Sequence, residues 1–104
     1  MRKASVFFSA TLTLLAGSAC GQDGLEEGKK LFTQTAVPAC AVCHTLRHAG
    51  AAGQVGPDLD ELRPDAARVE KAMRNGIGQM PVIGNLKEDQ IRLLAKYVAT
   101  VAGR

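Results

Sequence analysis

The sequence predicts an all-α domain of three to four short helices packed around one covalently attached group. Three observations predict it. Apolar residues recur at helical spacing in three separate stretches: Leu25, Gly28, Leu31 and Phe32; Ala66, Val69, Ala72 and Met73; Ile91, Leu94, Ala95, Val98 and Val101. No stretch shows the apolar–polar alternation of a half-buried strand. The chain is also too short and too poor in large side chains to build a sufficient core unaided, yet it carries the tight cluster Cys40-Ala41-Val42-Cys43-His44.

The elements follow in order. Arg2 and Lys3 precede VFFSATLTLLAGSA, a nearly continuous apolar or small stretch from Val6 to Ala19 with no charge until Asp23. A basic start, a short apolar run and small residues at its end are the marks of a secretory signal peptide, expected over residues 1–20. The run is shorter, and richer in Ser, Thr and Gly, than the ~20 predominantly apolar residues of a permanent membrane span. Of the 104 residues, 84 then remain as the domain 21–104, and the formal charge falls from +3 to +1, with 11 basic and 10 acidic side chains. The basic excess thus belongs mainly to the export signal, which removes the clustered positive surface that nucleic-acid binding needs. Only Phe32 and Tyr97 remain as aromatic residues.

Asp23 and Glu26 have the spacing of a capping box, predicting a helix from there to about Gln34. Gly28 inside it costs roughly 1 kcal/mol against Ala, which points to close approach of another helix backbone. The pre-proline position and Pro38 predict a non-helical link into Cys40. Ala49 to Gly56, AGAAGQVG, predicts a loop. Asp65 to Asn75 predicts a helix stopped by Gly76. An irregular segment, Gly76-Ile77-Gly78-Gln79-Met80-Pro81, comes next. The last predicted helix runs from Leu86 to about Ala102, with Lys87 at the N-cap position and Gln90 as its N3 partner.

C-x-x-C-H is the attachment pattern of c-type haem. Two thiols about one helical turn apart can each add to one of the two vinyl groups of a porphyrin, and the adjacent imidazole then reaches the iron. Export suits that chemistry, which bacteria complete outside the cytoplasm. A disulfide or thioredoxin-like pair belongs in a βαβ context that is missing here. A zinc site using Cys40, Cys43, His44 and His48 lacks the usual separation between the Cys and His pairs.

With these residues in view, the chain resembles the class I (monohaem) cytochrome c family over essentially its whole mature length. Gly28 with Phe32, and Leu94 with Tyr97, look like the family's paired N- and C-terminal helices. The resemblance implies the cytochrome c fold and one haem c bound through Cys40 and Cys43, with His44 as a metal ligand. Gly56-Pro57-Asp58-Leu59 resembles the segment whose proline carbonyl accepts a hydrogen bond from the ligating imidazole, a role that falls on Pro57. Gly76 to Pro81 resembles the distal loop, making Met80 the second metal ligand. Met80 is also the methionine placed in a Gly/Pro loop able to bend toward a metal, whereas Met73 lies among helical apolar positions. His48 reads as a surface histidine. The wording from Thr45 to Pro81 is most similar to the cytochrome subunits and acceptor cytochromes of bacterial sulfite dehydrogenases.

The resemblance implies a periplasmic one-electron carrier and not an enzyme, with no catalytic residue. Its partners would be redox proteins, such as a periplasmic dehydrogenase and a terminal oxidase or another cytochrome. A membrane-anchored form requires Cys20 to carry lipid, and Gly17 stands where a lipoprotein signal normally has a large aliphatic residue. One alternative is a permanently bound haem subunit of a sulfite dehydrogenase-type oxidoreductase. Another is a haem enzyme or gas sensor with a labile sixth ligand. Acidic Asp58, Asp60, Glu61 and Asp65 mix with Lys29, Lys30, Arg63, Arg68, Lys71 and Arg74, so no single-sign docking block stands out. One arginine is expected to neutralise a haem propionate; the sequence does not choose which.

Overall fold

The computed structural model describes residue 11 and residues 20–104, with the backbone alone described for 20–23. The predicted signal peptide therefore lies almost wholly outside the described residues. Among the described residues three helices of ten or more residues dominate: α1 (Cys20–Lys30), α4 (Ala66–Asn75) and α5 (Glu88–Val101). Between them come two single-turn helices, α2 (Cys40–Cys43) and α3 (Leu59–Leu62), and a minimal antiparallel pair, β1 (Thr45–Leu46) with β2 (Ala51–Ala52). No helix among the described residues is long and apolar enough to cross a membrane.

Helix α1 begins three residues before the predicted cap, so Asp23 lies inside the helix instead of at its N-cap. The chain stays helical to Thr35 through a widened π turn, Leu31–Thr35, whose Leu31 carbonyl accepts from Ala36 N–H at 3.0 Å. Within the expected loop from Ala49 to Gly56, Ala51–Ala52 instead form a strand. Thr45 pairs with Ala52 and Leu46 with Ala51 across a tight 3₁₀ turn that closes on Gly50 at φ +65°. Two-residue strands carry no alternation to detect. Single-turn α3 was also unpredicted, although Asp58 caps it: its Oδ1 accepts from Asp60 N–H at 2.9 Å. Helix α4 starts where expected, with Asp65 Oδ1 accepting from Arg68 N–H at 2.8 Å, and stops at Gly76, φ +68°. At the head of α5, Lys87 N–H donates to Gln90 Oε1 at 2.9 Å.

The core forms where the helices meet. Leu31, Phe32, Met73, Leu94, Val98 and Val101 are fully buried there. Arg74 ties α4 to α5, donating to Glu88 at 2.9 and 2.6 Å and to Glu70 on its own helix. Helix α1 lies on α5 with Gly28 directly beneath Tyr97, and the Phe32 and Tyr97 rings meet edge-on at 6.4 Å between centroids. Burial, with the nearby Glu26 carboxylate, pushes the Tyr97 hydroxyl up to about 12, so it stays protonated and shares a 2.8 Å hydrogen bond with His48 Nδ1.

A Cβ at position 28 would overlap Tyr97 Cβ and Cγ. Overpacking of this kind costs about 1–3 kcal/mol and outweighs the roughly 1 kcal/mol of helix propensity that Ala returns. Gly28→Ala is therefore expected to destabilise the holoprotein by up to about 2 kcal/mol in urea unfolding. An unchanged or higher midpoint would show that the crossing has room to spare.

Candidate haem site

The single turn of α2 sets Cys40 and Cys43 three residues apart, both as free, half-buried thiols. Its last bond is His44 N–H to Cys40 O at 2.9 Å, after which the chain turns extended and the His44 side chain leaves the helix. Burial, aided by neighbouring Cys43, pushes the Cys40 thiol up to about 11. A thioredoxin-like redox pair has its reactive thiol pushed the other way.

His44 is fixed from outside the motif. Pro57 O lies 2.7 Å from His44 Nδ1. A carbonyl only accepts, so Nδ1–H donates, and in the neutral ring Nε2 keeps its lone pair for a metal. Two glycines let the loop lie this close. A Cβ on Gly56 would run into the His44 ring, and one on Gly53 into the Cys43 and His44 backbone, at 2.5 and 2.6 Å respectively. Gly56 N–H also donates to Cys43 O at 2.7 Å.

Met80 sits at the turn of a short bridge in which Ile77 N–H and Met80 O pair at 3.0 Å, and Met80 N–H and Ile77 O at 2.9 Å. The loop is tied back at both sides. Ile83 N–H donates to Met73 O at the end of α4, while Asn85 accepts from Val37 N–H at 3.0 Å and donates to Thr35 O at 2.8 Å. Asn85 thereby joins the Met80 loop to the segment entering Cys40.

Cys40, Cys43, His44, Pro57 and Met80 all border one cavity of about 600 Å³, otherwise walled largely by apolar side chains such as Phe32, Leu59, Ile83, Leu94 and Val98. Met73 borders it as well, from within α4. His48 does not, being exposed and turned to Tyr97, which also takes it away from the zinc arrangement. Among the described residues no three His, Cys, Asp or Glu side chains gather closely enough to hold a metal ion by themselves. A metal here has to bring most of its own donors.

An apolar space of this size, entered by two unpaired thiols and an oriented imidazole, fits a flat porphyrin iron, and the protein is of the c-type cytochrome class. Residues 23–98 match the family model described as cytochrome c oxidase, cbb3-type, subunit III, and the chain belongs to that family. It is similar to the crystal structure of the c-type cytochrome SorU from Sinorhizobium meliloti, with 51% identity, a TM-score of 0.77, and coverage of 80% of this chain and 95% of that one. No curated protein matches it. As a c-type cytochrome it carries covalently bound haem c and is an electron-transfer protein rather than an enzyme. Three residues that shape the site escaped the sequence reading in that role. Gly53 is visible only as a loop glycine, Asn85 carries no motif, and Asp60 reads as one surface charge among several.

Proposed function

We propose that the protein is an exported, periplasmic one-electron carrier whose haem is attached through Cys40 and Cys43, with iron held between His44 Nε2 and the Met80 sulfur. The observation that carries this is the 2.7 Å bond from His44 Nδ1–H to Pro57 O, which leaves Nε2 free beside a cavity that Met80 also borders. When bound, the haem supplies the ferrous–ferric couple. Pro57 holds the imidazole in one tautomer and orientation. A soft sulfur from Met80 would favour the ferrous form relative to a second imidazole. The apolar walls exclude water from the cavity. With His44 and Met80 both holding the iron, no position would be left for a substrate, which suits electron transfer rather than catalysis.

Residues 1–20 act in this reading as a cleaved export signal, and the working protein is 21–104. The wording of residues 45–81, which resembles the acceptor cytochromes of sulfite dehydrogenases, supports electron donation by a periplasmic dehydrogenase of that type, with a terminal oxidase or another cytochrome as acceptor. Contacts of this kind are small and dissociate quickly.

Absorption spectroscopy of the ferric holoprotein tests the ligation. The weak sulfur-to-iron charge-transfer band is expected in the wild type and in Met73→Ala, and is expected to vanish in Met80→Ala, which should then bind cyanide rapidly. Retention of the band in Met80→Ala, or its absence in the wild type, would remove Met80 as the ligand.

A further inference from the structure

The cavity has a charge pattern that the attachment motif does not account for. No Asp or Glu borders it among the described residues, and its Lys/Arg side chains are Arg68 and Lys71. Both belong to α4, three residues apart and therefore neighbours on its surface. Both are exposed, which puts them where the cavity opens to solvent. Neither forms an ion pair among the described residues.

The other arginines are otherwise engaged or placed. Arg74 is held by Glu70 and Glu88, and Arg92 faces Glu88. Arg47 lies 3.8 Å from Asp60, and Arg63 Nε donates to Asp60 O at 3.4 Å. None of these borders the cavity, nor does Arg104. Two unpaired cations at the rim of an apolar space call for a ligand that is apolar in its body and anionic at one end. A porphyrin has that form, with two propionates on the edge away from its vinyl groups.

We propose that Arg68, seconded by Lys71, receives the carboxylates of the bound haem at the cavity rim; this rests on the haem reading above. The planar guanidinium can grip a carboxylate with two parallel N–H bonds, and the lysine adds a point charge one turn on. Thioethers at Cys40 and Cys43 would fix one edge of the macrocycle while these cations fix the other.

Proton NMR of the ferric holoprotein, titrated with pH, reads the propionates directly. Arg68→Gln is expected to raise the apparent pKa of one propionate by about one unit, since a facing cation lowers a carboxylate by about 1–3 units and exposure weakens the pair. Lys71→Gln should give a smaller rise, and Arg68→Lys should restore most of the wild-type value. Arg92→Gln, on α5, should leave the titration in place. If the Arg68→Gln titration superimposes on that of Arg92→Gln, the assignment is overturned. Intact mass of each protein separates the two levels. Haem present with unmoved propionates refutes the Arg68 assignment alone, whereas wild-type protein without covalent haem refutes the attachment reading and this proposal with it.

Discussion

The Cys40→Ala/Cys43→Ala double variant, purified free of haem, is expected to lose cooperative folding. The reason is the size of the space that the porphyrin fills. Cavities in protein cores cost about 24 cal/mol per Å³ of volume that is not refilled, so a void near 600 Å³ corresponds to on the order of 10 kcal/mol. The entire net stability of a small domain is about 5–15 kcal/mol. Water entering from the open rim lowers the penalty without reversing its sign, because the walls contributed by Phe32, Leu94 and Val98 are apolar. Circular dichroism and a thermal melt check this. The expected result is a broad, non-cooperative transition; a sharp melt near the holoprotein's would show that the protein side chains suffice as a core.

Asp60→Ala is the second large effect. The Asp60 side chain is 1% exposed, and its two oxygens serve different parts of the chain. Oδ2 accepts from Arg47 N–H at 2.8 Å, just beyond the haem motif, and Oδ1 accepts from Gly103 N–H at 2.8 Å, just beyond α5. Truncation leaves both donors without a partner, at about 1–3 kcal/mol each, so a loss of about 2–6 kcal/mol is expected in urea unfolding at neutral pH. Burial acts to raise the Asp60 pKa. The backbone N–H groups of Gly103 and Arg47, with the charges of Arg47 and Arg63, outweigh it and hold the group below its ordinary 3.8. A depressed pKa means that the folded form binds its proton less readily than the unfolded form. The stabilisation is therefore complete above the unfolded value near 3.8 and drains away as pH falls through the lower folded value. The stability gap between wild type and Asp60→Ala should accordingly narrow as pH drops below about 4. A gap that stays constant or widens on acidification would mean that the ionised carboxylate is not what stabilises the fold.

Much of the fold was legible because its signals are local. Asp65 and Gly76 bracket α4 through bonds that span three or four residues, and Gln90 reaches only back to Lys87. Gly28 was legible for another reason: a costly residue in a helix implies a close neighbour, and Tyr97 is that neighbour. The attachment motif is equally compact. Features built from distant partners were not readable from spacing. Asp60 joins residues 13 and 43 positions away, and Asn85 reaches back 48 and 50. A lone Asp or Asn carries no sign of such a destination. The pairing of Pro57 with His44 came through family resemblance, since nothing in a proline itself says which donor its carbonyl will meet. Elements as short as α3 and the β1–β2 pair leave too few residues for any periodicity to register.

The meeting of α1 with α5 also divides the site between local and long-range structure. Leu94 and Val98, on α5, supply part of the cavity wall, and α5 is held by Arg74 of α4 and by the crossing of Gly28, on α1, with Tyr97. Cys40, Cys43 and His44, by contrast, lie within one short turn. The attachment residues and the enclosure around them thus rest on separate parts of the chain, so that a change at the α1–α5 crossing acts on the wall and leaves the spacing of the thiols as it is.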